Sequence, residues 1–255
     1  MVNVLHVRAL EDNYVWLIRV DAARAAVVDP GEAAPVLAAL AHLRLTPAAI
    51  LCTHHHGDHT GGVAELAARY SVPVYGPARE RIPALTHPLK EGDRVALPGL
   101  ALDVLDIPGH TAGHIAYHGG GLLFCGDTLF SAGCGRLFEG AAEQLHAALM
   151  RLAALPEATA VYCGHEYTLA NLRFAAAVEP DNAQVRDYLE KAAALRARNL
   201  PTLPSSIGLE RRVNPFLRAG VPAVRRAAED HTGGRLNSEA AVFAALRRWK
   251  DEFRG

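Results

Sequence analysis

Thr53-His54-His55-His56-Gly57-Asp58-His59 places four imidazoles and a carboxylate within seven residues. The segment follows a short apolar run, Ala49–Cys52, and precedes a stretch with helical spacing. Side chains alternate along an extended chain, so His54 and His56 aim one way and His55 the other. Gly57 permits a turn, beyond which Asp58 and His59 form a second donor pair. A single metal takes three or four protein ligands. Four groups with two aims therefore read as part of a two-metal site. His110, Asp127 and His165 extend the set: each follows an apolar, strand-like run, and each has a glycine directly before it, Gly109, Gly126 and Gly164. Donors on short turns at strand ends are what a rigid site requires. Five His and two Asp, with no thiolate among them, suit two borderline divalent ions, each with three terminal ligands, sharing one carboxylate.

Such a pair of ions lowers the pKa of a shared water from about 15.7 toward about 7 and polarises the oxygen of an electrophile. The expected chemistry is hydrolysis of an ester, thioester, amide or phosphodiester. The sequence contains no Gly-x-Ser-x-Gly nucleophile turn. Gly119-Gly120-Gly121 lacks the Lys-Ser/Thr of a phosphate loop and runs into strand-like Leu122–Phe124. The remaining histidines lack this context. His6, His42, His87, His118, His146 and His231 are read as structural, His55 as packed beside or beneath the loop, and His114 as a non-ligand. Cys52, Cys125 and Cys163 lie two residues before ligand positions but sit in apolar strands, where a thiol behaves as a small hydrophobe. Cys134, in a Gly-flanked loop, is the better candidate for a reactive thiol, though no base neighbours it.

The elements that must carry these residues alternate over the first two thirds of the chain. Strands are expected at Val2–Val7, Tyr14–Val20, Ala25–Asp29, Ala49–Thr53, Val72–Tyr75, Arg94–Leu97, Ala101–Ile107, His114–His118, Leu122–Cys125 and Ala160–Cys163. Helices are expected at Ala33–Leu45, Gly61–Tyr70 and Glu143–Leu155. Strands outnumber helices, which fits two sheets with flanking helices better than one parallel sheet. After Thr168 the pattern turns helical: Leu169–Val178, Ala183–Asn199, Pro222–Asp230 and Ser238–Phe253, with Leu200–Asn214 as a connector. Charge changes at the same place. Residues 1–168 hold 11 Lys+Arg and 17 Asp+Glu, whereas residues 169–255 hold 15 and 10. Two units are expected, 1–168 carrying the metal ligands and 169–255 a helical, basic unit.

The formal charge of −1 argues against a nucleic-acid binder that works by neutralising phosphates. No stretch approaches the roughly 20 apolar residues of a membrane helix. The N-terminus lacks the apolar segment of a signal peptide, and four cysteines without a CxxC pair suit a reducing cytoplasm. No obligate protein partner is evident.

The HxHxDH loop with His110, Asp127 and His165 resembles the metallo-β-lactamase superfamily over residues 1–168, which implies an αββα sandwich. Within it, the chain resembles glyoxalase II, the hydroxyacylglutathione hydrolase family, over nearly its full length. The narrower likeness rests on Asp12-Asn13-Tyr14, on Gly133-Cys134-Gly135-Arg136-Leu137-Phe138-Glu139-Gly140, on Gly164-His165-Glu166-Tyr167-Thr168, and on Arg247 with Lys250 in the last helix. The resemblance implies an α/β fold with a smaller all-α C-terminal domain. It assigns His54, His56 and His110 to one metal and Asp58, His59 and His165 to the other, with Asp127 bridging. Asp58 and Asp127 would serve the reaction, a bridging hydroxide would attack the thioester, and Arg136, Tyr167, Arg247 and Lys250 would hold glutathione. Phe138 stands where many relatives have Tyr, so a glutathione hydrogen bond from that position is lost. Zinc is the expected occupant, with iron or manganese as alternatives.

A thioester suits the residues themselves. No extra general acid is evident, and a thiolate of pKa near 8.5 leaves without full protonation. Glutathione's two carboxylates also suit a basic C-terminal unit. The competing readings are a mononuclear-iron dioxygenase of glutathione persulfide, a lactonase or nuclease of the same superfamily, and a non-enzymatic metal-binding module. A complete set of second-metal donors disfavours the first and the last.

Overall fold

The computed structural model describes residues 2–254. Three antiparallel strands open the chain, β1 (Val4–Ala9), β2 (Asn13–Arg19) and β3 (Arg24–Val28), followed by α1 (Ala33–Leu43) and β4 (Thr46–Leu51). The short helix α2 (Gly57–Thr60) and α3 (Val63–Tyr70) lead to β5 (Val74–Pro77) and β6 (His87–Leu89). These strands form a sheet in the order β1-β2-β3-β4-β5-β6. Next come β7 (Arg94–Leu97), β8 (Leu100–Asp106), β9 (Ile115–Gly119), β10 (Leu122–Gly126), the small hairpin β11 (Leu129–Phe130) and β12 (Gly133–Cys134), α4 (Ala142–Ala153) and β13 (Ala160–Cys163). The C-terminal part adds α5 (Thr168–Val178), α6 (Ala183–Ala197), β14 (Ser205–Ser206), α7 (Ile207–Val213), α8 (Pro222–Thr232) and α9 (Glu239–Glu252). The second sheet has the order β14-β13-β10-β9-β8-β7.

Period-two alternation sorts β2 between two cores. Tyr14, Trp16 and Ile18 face the second sheet, where they join Val104, Tyr117, Phe124 and Val161. Val15 and Leu17 face the other way, onto Val36 and Leu40 of α1 and Val63 and Leu66 of α3. A strand covered on both faces reads as a continuous apolar run. Helices thus lie outside both sheets, in the expected sandwich. α4 and α9 close the second sheet: Leu145 and Leu149 of α4 share one core with Phe243 and Leu246 of α9.

Most element bounds agree with the sequence to within a few residues. The 200–214 segment does not: read as a connector, it contains β14 and α7. Ser205 and Ser206 pair with Val161 and Ala160, adding an edge strand. The Ser206 hydroxyl then accepts from Leu209 N at 3.2 Å and caps α7. Two residues of strand carry no readable alternation, so pairing alone reveals them. β11 and β12 escape the sequence for the same reason, and the three-residue β6 is barely longer. Ser238 caps α9 by accepting from Ala241 N at 3.1 Å.

Strand direction decides where the candidate donors meet. β3 and β4 are parallel, as are β10 and β13. β8 and β10 both pair antiparallel with β9 and so run the same way. The turns after β4, β8, β10 and β13 therefore open at one edge of the sandwich, and His54, His110, Asp127 and His165 stand on those turns.

Candidate metal centre

Beyond β4 the chain bends at Thr53 and His54, and His54 and His56 converge, with His54 Nε2 3.1 Å from His56 Nδ1. His56 is the N-cap of α2, and its carbonyl accepts from His59 N at 3.0 Å. That turn sends His59 back into the interior, where its side chain is buried. His110 Nε2 lies 3.1 Å from His56 Nδ1. His54, His56 and His110 form one triad of donor atoms, and Asp58, His59 and His165 form a second, each within 4.8 Å. In the second, His59 Nε2 and His165 Nε2 are 3.2 Å apart, and Asp58 Oδ2 lies 3.3 Å from His165 Nε2. Asp127 stands between the two. Its Oδ1 is 3.2 Å from His59 Nε2, and its Oδ2 is 3.2 Å from His165 Nε2 and 3.6 Å from His110 Nε2.

These donors fit divalent metal ions. Tetrahedral bonds of about 2.0–2.1 Å set ligand nitrogens about 3.3 Å apart, close to the 3.1–3.2 Å separations seen here. Asp127 Oδ1 is buried and has no hydrogen-bond partner among the described residues. An orphaned carboxylate oxygen facing imidazole nitrogens is a group awaiting a cation.

The distal ring nitrogens are oriented by fixed partners. Arg136 O lies 2.8 Å from His110 Nδ1, Asp12 Oδ1 2.7 Å from His165 Nδ1, and Asp29 Oδ2 3.2 Å from His59 Nδ1. Each oxygen accepts from Nδ1–H and so leaves the Nε2 lone pair aimed at the centre. Thr53 Oγ1 lies 3.0 Å from His54 Nδ1 and donates to Asp29 Oδ2. Asn13 Nδ2 donates to Asp58 Oδ2 at 3.0 Å. Asp12, Asn13, Asp29 and Thr53 were not read as site residues from the sequence. Asp29 carried part of that signal: it follows an apolar strand, as Asp127 does, but Val28 rather than a glycine precedes it.

Charge follows the same division. Burial pushes the imidazoles of His54, His56 and His110 below their usual pKa, favouring the neutral, metal-binding form. Burial opposes charge on His165 too, but Asp127 outweighs it and pushes the ring up to about 10. His59 is raised in the same way by Asp127 and Asp29, again against burial. Burial would raise the Asp127 carboxyl, yet His59 and His165 hold it well below the carboxylate range. Hydrogen bonding to His165 lowers Asp58. The second cluster favours positive charge at its centre, and a metal binding there displaces protons.

Two glycines make this proximity possible. A Cβ on Gly164 would lie 2.5 Å from both Asp127 Oδ1 and His59 Cε1. Gly126 has φ +46°, and its Cβ would press on His114 at 2.9 Å. His114 has both ring nitrogens engaged: Nε2 accepts from Asp127 N at 3.2 Å, and Nδ1 lies 3.0 Å from Ile115 O. His55 points away from both triads, toward Glu80 and Glu139. All four cysteines are free and buried. Cys134 does not match its reading as a reactive thiol, because burial outweighs the nearby Arg247 and pushes it up to about 11.

A cavity of about 450 Å³ runs from His110 and Asp127 to α9, and Arg136, Phe138, Tyr167, Arg247 and Lys250 all line it. The Tyr167 ring stacks on His165 at 4.7 Å. Phe138 meets the His56 and His110 rings edge-on at 5.4 and 5.2 Å. Arg247 is 5 % exposed, so it is no part of a solvated helix face. Its Nη1 donates to Cys134 O at 2.8 Å and its Nη2 to Asp251 Oδ1 at 3.0 Å. Lys250 Nζ donates to Ala170 O at 2.9 Å. Burial, then repulsion from Arg247 and Arg136, brings its pKa down to about 8.

Comparison with known proteins matches this arrangement along the whole chain. The Metallo-beta-lactamase superfamily model matches residues 9–165, and the model described as Hydroxyacylglutathione hydrolase C-terminus matches residues 166–253. A hydroxyacylglutathione hydrolase of Alkalilimnicola ehrlichii is 59% identical, covering 99% of this chain and 100% of that protein. One from Nitrosomonas eutropha is 53% identical with the same coverage. Among solved structures, ETHE1 from Myxococcus xanthus is similar with a TM-score of 0.66 at 27% identity, over 98% of both chains. The BLEG-1 B3 metallo-beta-lactamase gives 0.64 at 26%, over 84% of this chain and 99% of the other. The chain belongs to the hydroxyacylglutathione hydrolase family, within the metallo-β-lactamase superfamily.

Proposed function

We propose that this chain hydrolyses the thioester of S-(2-hydroxyacyl)glutathione, turning S-lactoylglutathione and water into glutathione and lactate. The observation that carries this reading is one cavity with His110 and Asp127 at one end and Arg136, Arg247 and Lys250 at the other. The basic end suits the carboxylates of a glutathione moiety, and the donor cluster lies where the acyl end would reach. His54, His56 and His110 would hold one divalent ion and Asp58, His59 and His165 a second, with Asp127 shared between them and zinc the expected metal. When bound, such ions acidify water and polarise the thioester carbonyl.

The protein's own groups do the remaining work. Lys250 and Arg136 bind and orient the peptide part by charge. Tyr167, stacked on His165, offers a hydroxyl and an aromatic wall beside the acyl group. Arg247 braces the Cys134 carbonyl and so fixes the loop leading to Arg136. The departing sulfur needs no dedicated acid, since its conjugate thiol is acidic enough to leave as the anion.

Residues 1–168 then supply the metal donors, and 169–255 supply the basic wall. Four free, buried cysteines suit a cytoplasmic setting. Among the described residues, no helix is long and apolar enough to cross a membrane.

The test compares S-lactoylglutathione with a small thioester lacking the peptide, on the natural protein and on Arg136→Ala/Lys250→Met. Loss of remote binding raises KM for the glutathione thioester more than it lowers kcat, and spares the small substrate. Equal losses on both substrates, or no hydrolysis of S-lactoylglutathione by the natural protein, would overturn the assignment.

A further inference from the structure

We propose that His55 is a positioning residue for the hydrolysis: its ring ties Glu80 to Glu139, and this tie holds Phe138 over the first metal triad. The proposal rests on reading the adjoining cavity as the thioester site.

His55 sits between two metal-ligating histidines but faces away from them. Its Nδ1 lies 3.0 Å from Glu80 Oε2 and its Nε2 lies 3.2 Å from Glu139 Oε1. Each carboxylate uses its second oxygen on the turn that follows His110. Glu80 Oε1 accepts from Gly113 N at 2.9 Å and from the Thr111 hydroxyl. Glu139 Oε2 accepts from Ala112 N at 2.9 Å. One imidazole thus joins three separate stretches of chain: the 53–59 ligand loop, the 108–114 turn and the 135–140 segment.

The last of these is held at its two ends, where Arg136 O lies 2.8 Å from His110 Nδ1 and Gly140 N donates to Gly109 O at 3.1 Å; between them Phe138 is held less firmly. Phe138 is 63 % exposed, so burial does little to fix it. Its own N–H donates to His110 O at a long 3.3 Å. Glu139, the next residue, supplies the side-chain anchor. Phe138 nonetheless lies edge-on to both His56 and His110 and lines the cavity. An exposed aromatic held at the mouth of a reaction site can orient the entering acyl group only if its backbone is fixed. The bridge through Glu139 adds the side-chain part of that fixing to the backbone bonds at Arg136, Phe138 and Gly140, and it leaves the nitrogens of His54, His56 and His110 untouched.

A double-mutant cycle tests the proposal. Glu139 is a loop residue with its side chain 38% exposed, so its replacement leaves the core intact. Metal content, melting temperature, kcat and KM for S-lactoylglutathione are measured for the natural protein, for His55→Ala, Glu139→Ala and Phe138→Ala, and for His55→Ala and Glu139→Ala each combined with Phe138→Ala. His55→Ala and Glu139→Ala each keep the full metal content and lose roughly threefold to tenfold in kcat/KM, the range expected for one lost hydrogen-bonded anchor, and an unchanged kcat/KM in His55→Ala alone overturns its role. In the Phe138→Ala background neither change has a further effect, because the anchored group is gone. Independent losses that multiply, loss of metal in Glu139→Ala, or an unchanged kcat/KM would each overturn the proposal. A natural protein inactive on S-lactoylglutathione would instead overturn the proposed function, and this inference with it; an active one with multiplying losses would overturn the inference alone.

Discussion

Asp12 holds an oxygen 2.7 Å from Nδ1 of His165, although 153 residues separate them. A short bridge between Asn13 and His165 aligns the two segments: Tyr14 N donates to Gly164 O at 2.8 Å and Glu166 N to Asp12 O at 2.9 Å. The turn between β1 and β2 thereby orients a candidate metal donor just beyond β13. Partners of this kind typically support metal affinity by 10- to 100-fold. Asp12→Ala is expected to weaken the second metal equivalent by about that factor while the first is retained. Competition against a chelator, followed for two metal equivalents, checks this. Equal weakening of both, or of neither, would contradict it.

His114 and His55 are expected to leave ligand number unchanged. His114→Ala removes the acceptor of the Asp127 N–H at 3.2 Å and opens space beneath His54. Stability should fall by roughly 2 kcal/mol, as for other lost buried side chains with a hydrogen bond. Two metals should still bind at saturating concentration. His55→Ala should likewise retain both. Loss of a whole metal equivalent in either variant would show that the ligand sets are assigned wrongly.

Much of this centre is legible in sequence because it obeys local rules. Alternation separates His54 and His56 from His55, and glycine after an apolar strand marks His110, Asp127 and His165. The rest depends on pairing between distant segments. Nothing near Asp12 announces that it meets His165. Ser205 and Ser206 form a strand only because β13 offers an edge. Arg247 reads as one cation on a charged helix face, and its 5 % exposure follows from how α9 packs against β12 and the loop beyond it. Helical periodicity gives the face a residue belongs to, and tertiary packing decides what covers that face.

In the proposed reaction, Lys250 is expected to leave a pH signature. Its folded pKa of about 8 lies below the ordinary lysine value because burial, Arg247 and Arg136 disfavour the charge. Below that pH the side chain is cationic and binds a carboxylate; above it the charge is lost from the free enzyme. KM for S-lactoylglutathione should therefore rise as pH passes upward through about 8. Bound carboxylate raises the lysine pKa again, so kcat should change less. In Lys250→Met this rise in KM should disappear. A KM profile identical in the two proteins would remove Lys250 from substrate binding.

The central claim is that Asp127 is shared between two metals that together serve the hydrolysis. Its two oxygens reach His59, His165 and His110 from one position, and one of them is otherwise unpaired. The most direct measurement is metal content by elemental analysis alongside S-lactoylglutathione turnover, for the natural protein and Asp127→Ala. Two metal equivalents per chain are expected in the active natural protein. The variant is expected to hold less metal and to lose at least a hundredfold in kcat, since it lacks a ligand common to both ions. An Asp127→Ala protein that keeps two metals and natural turnover would contradict the account.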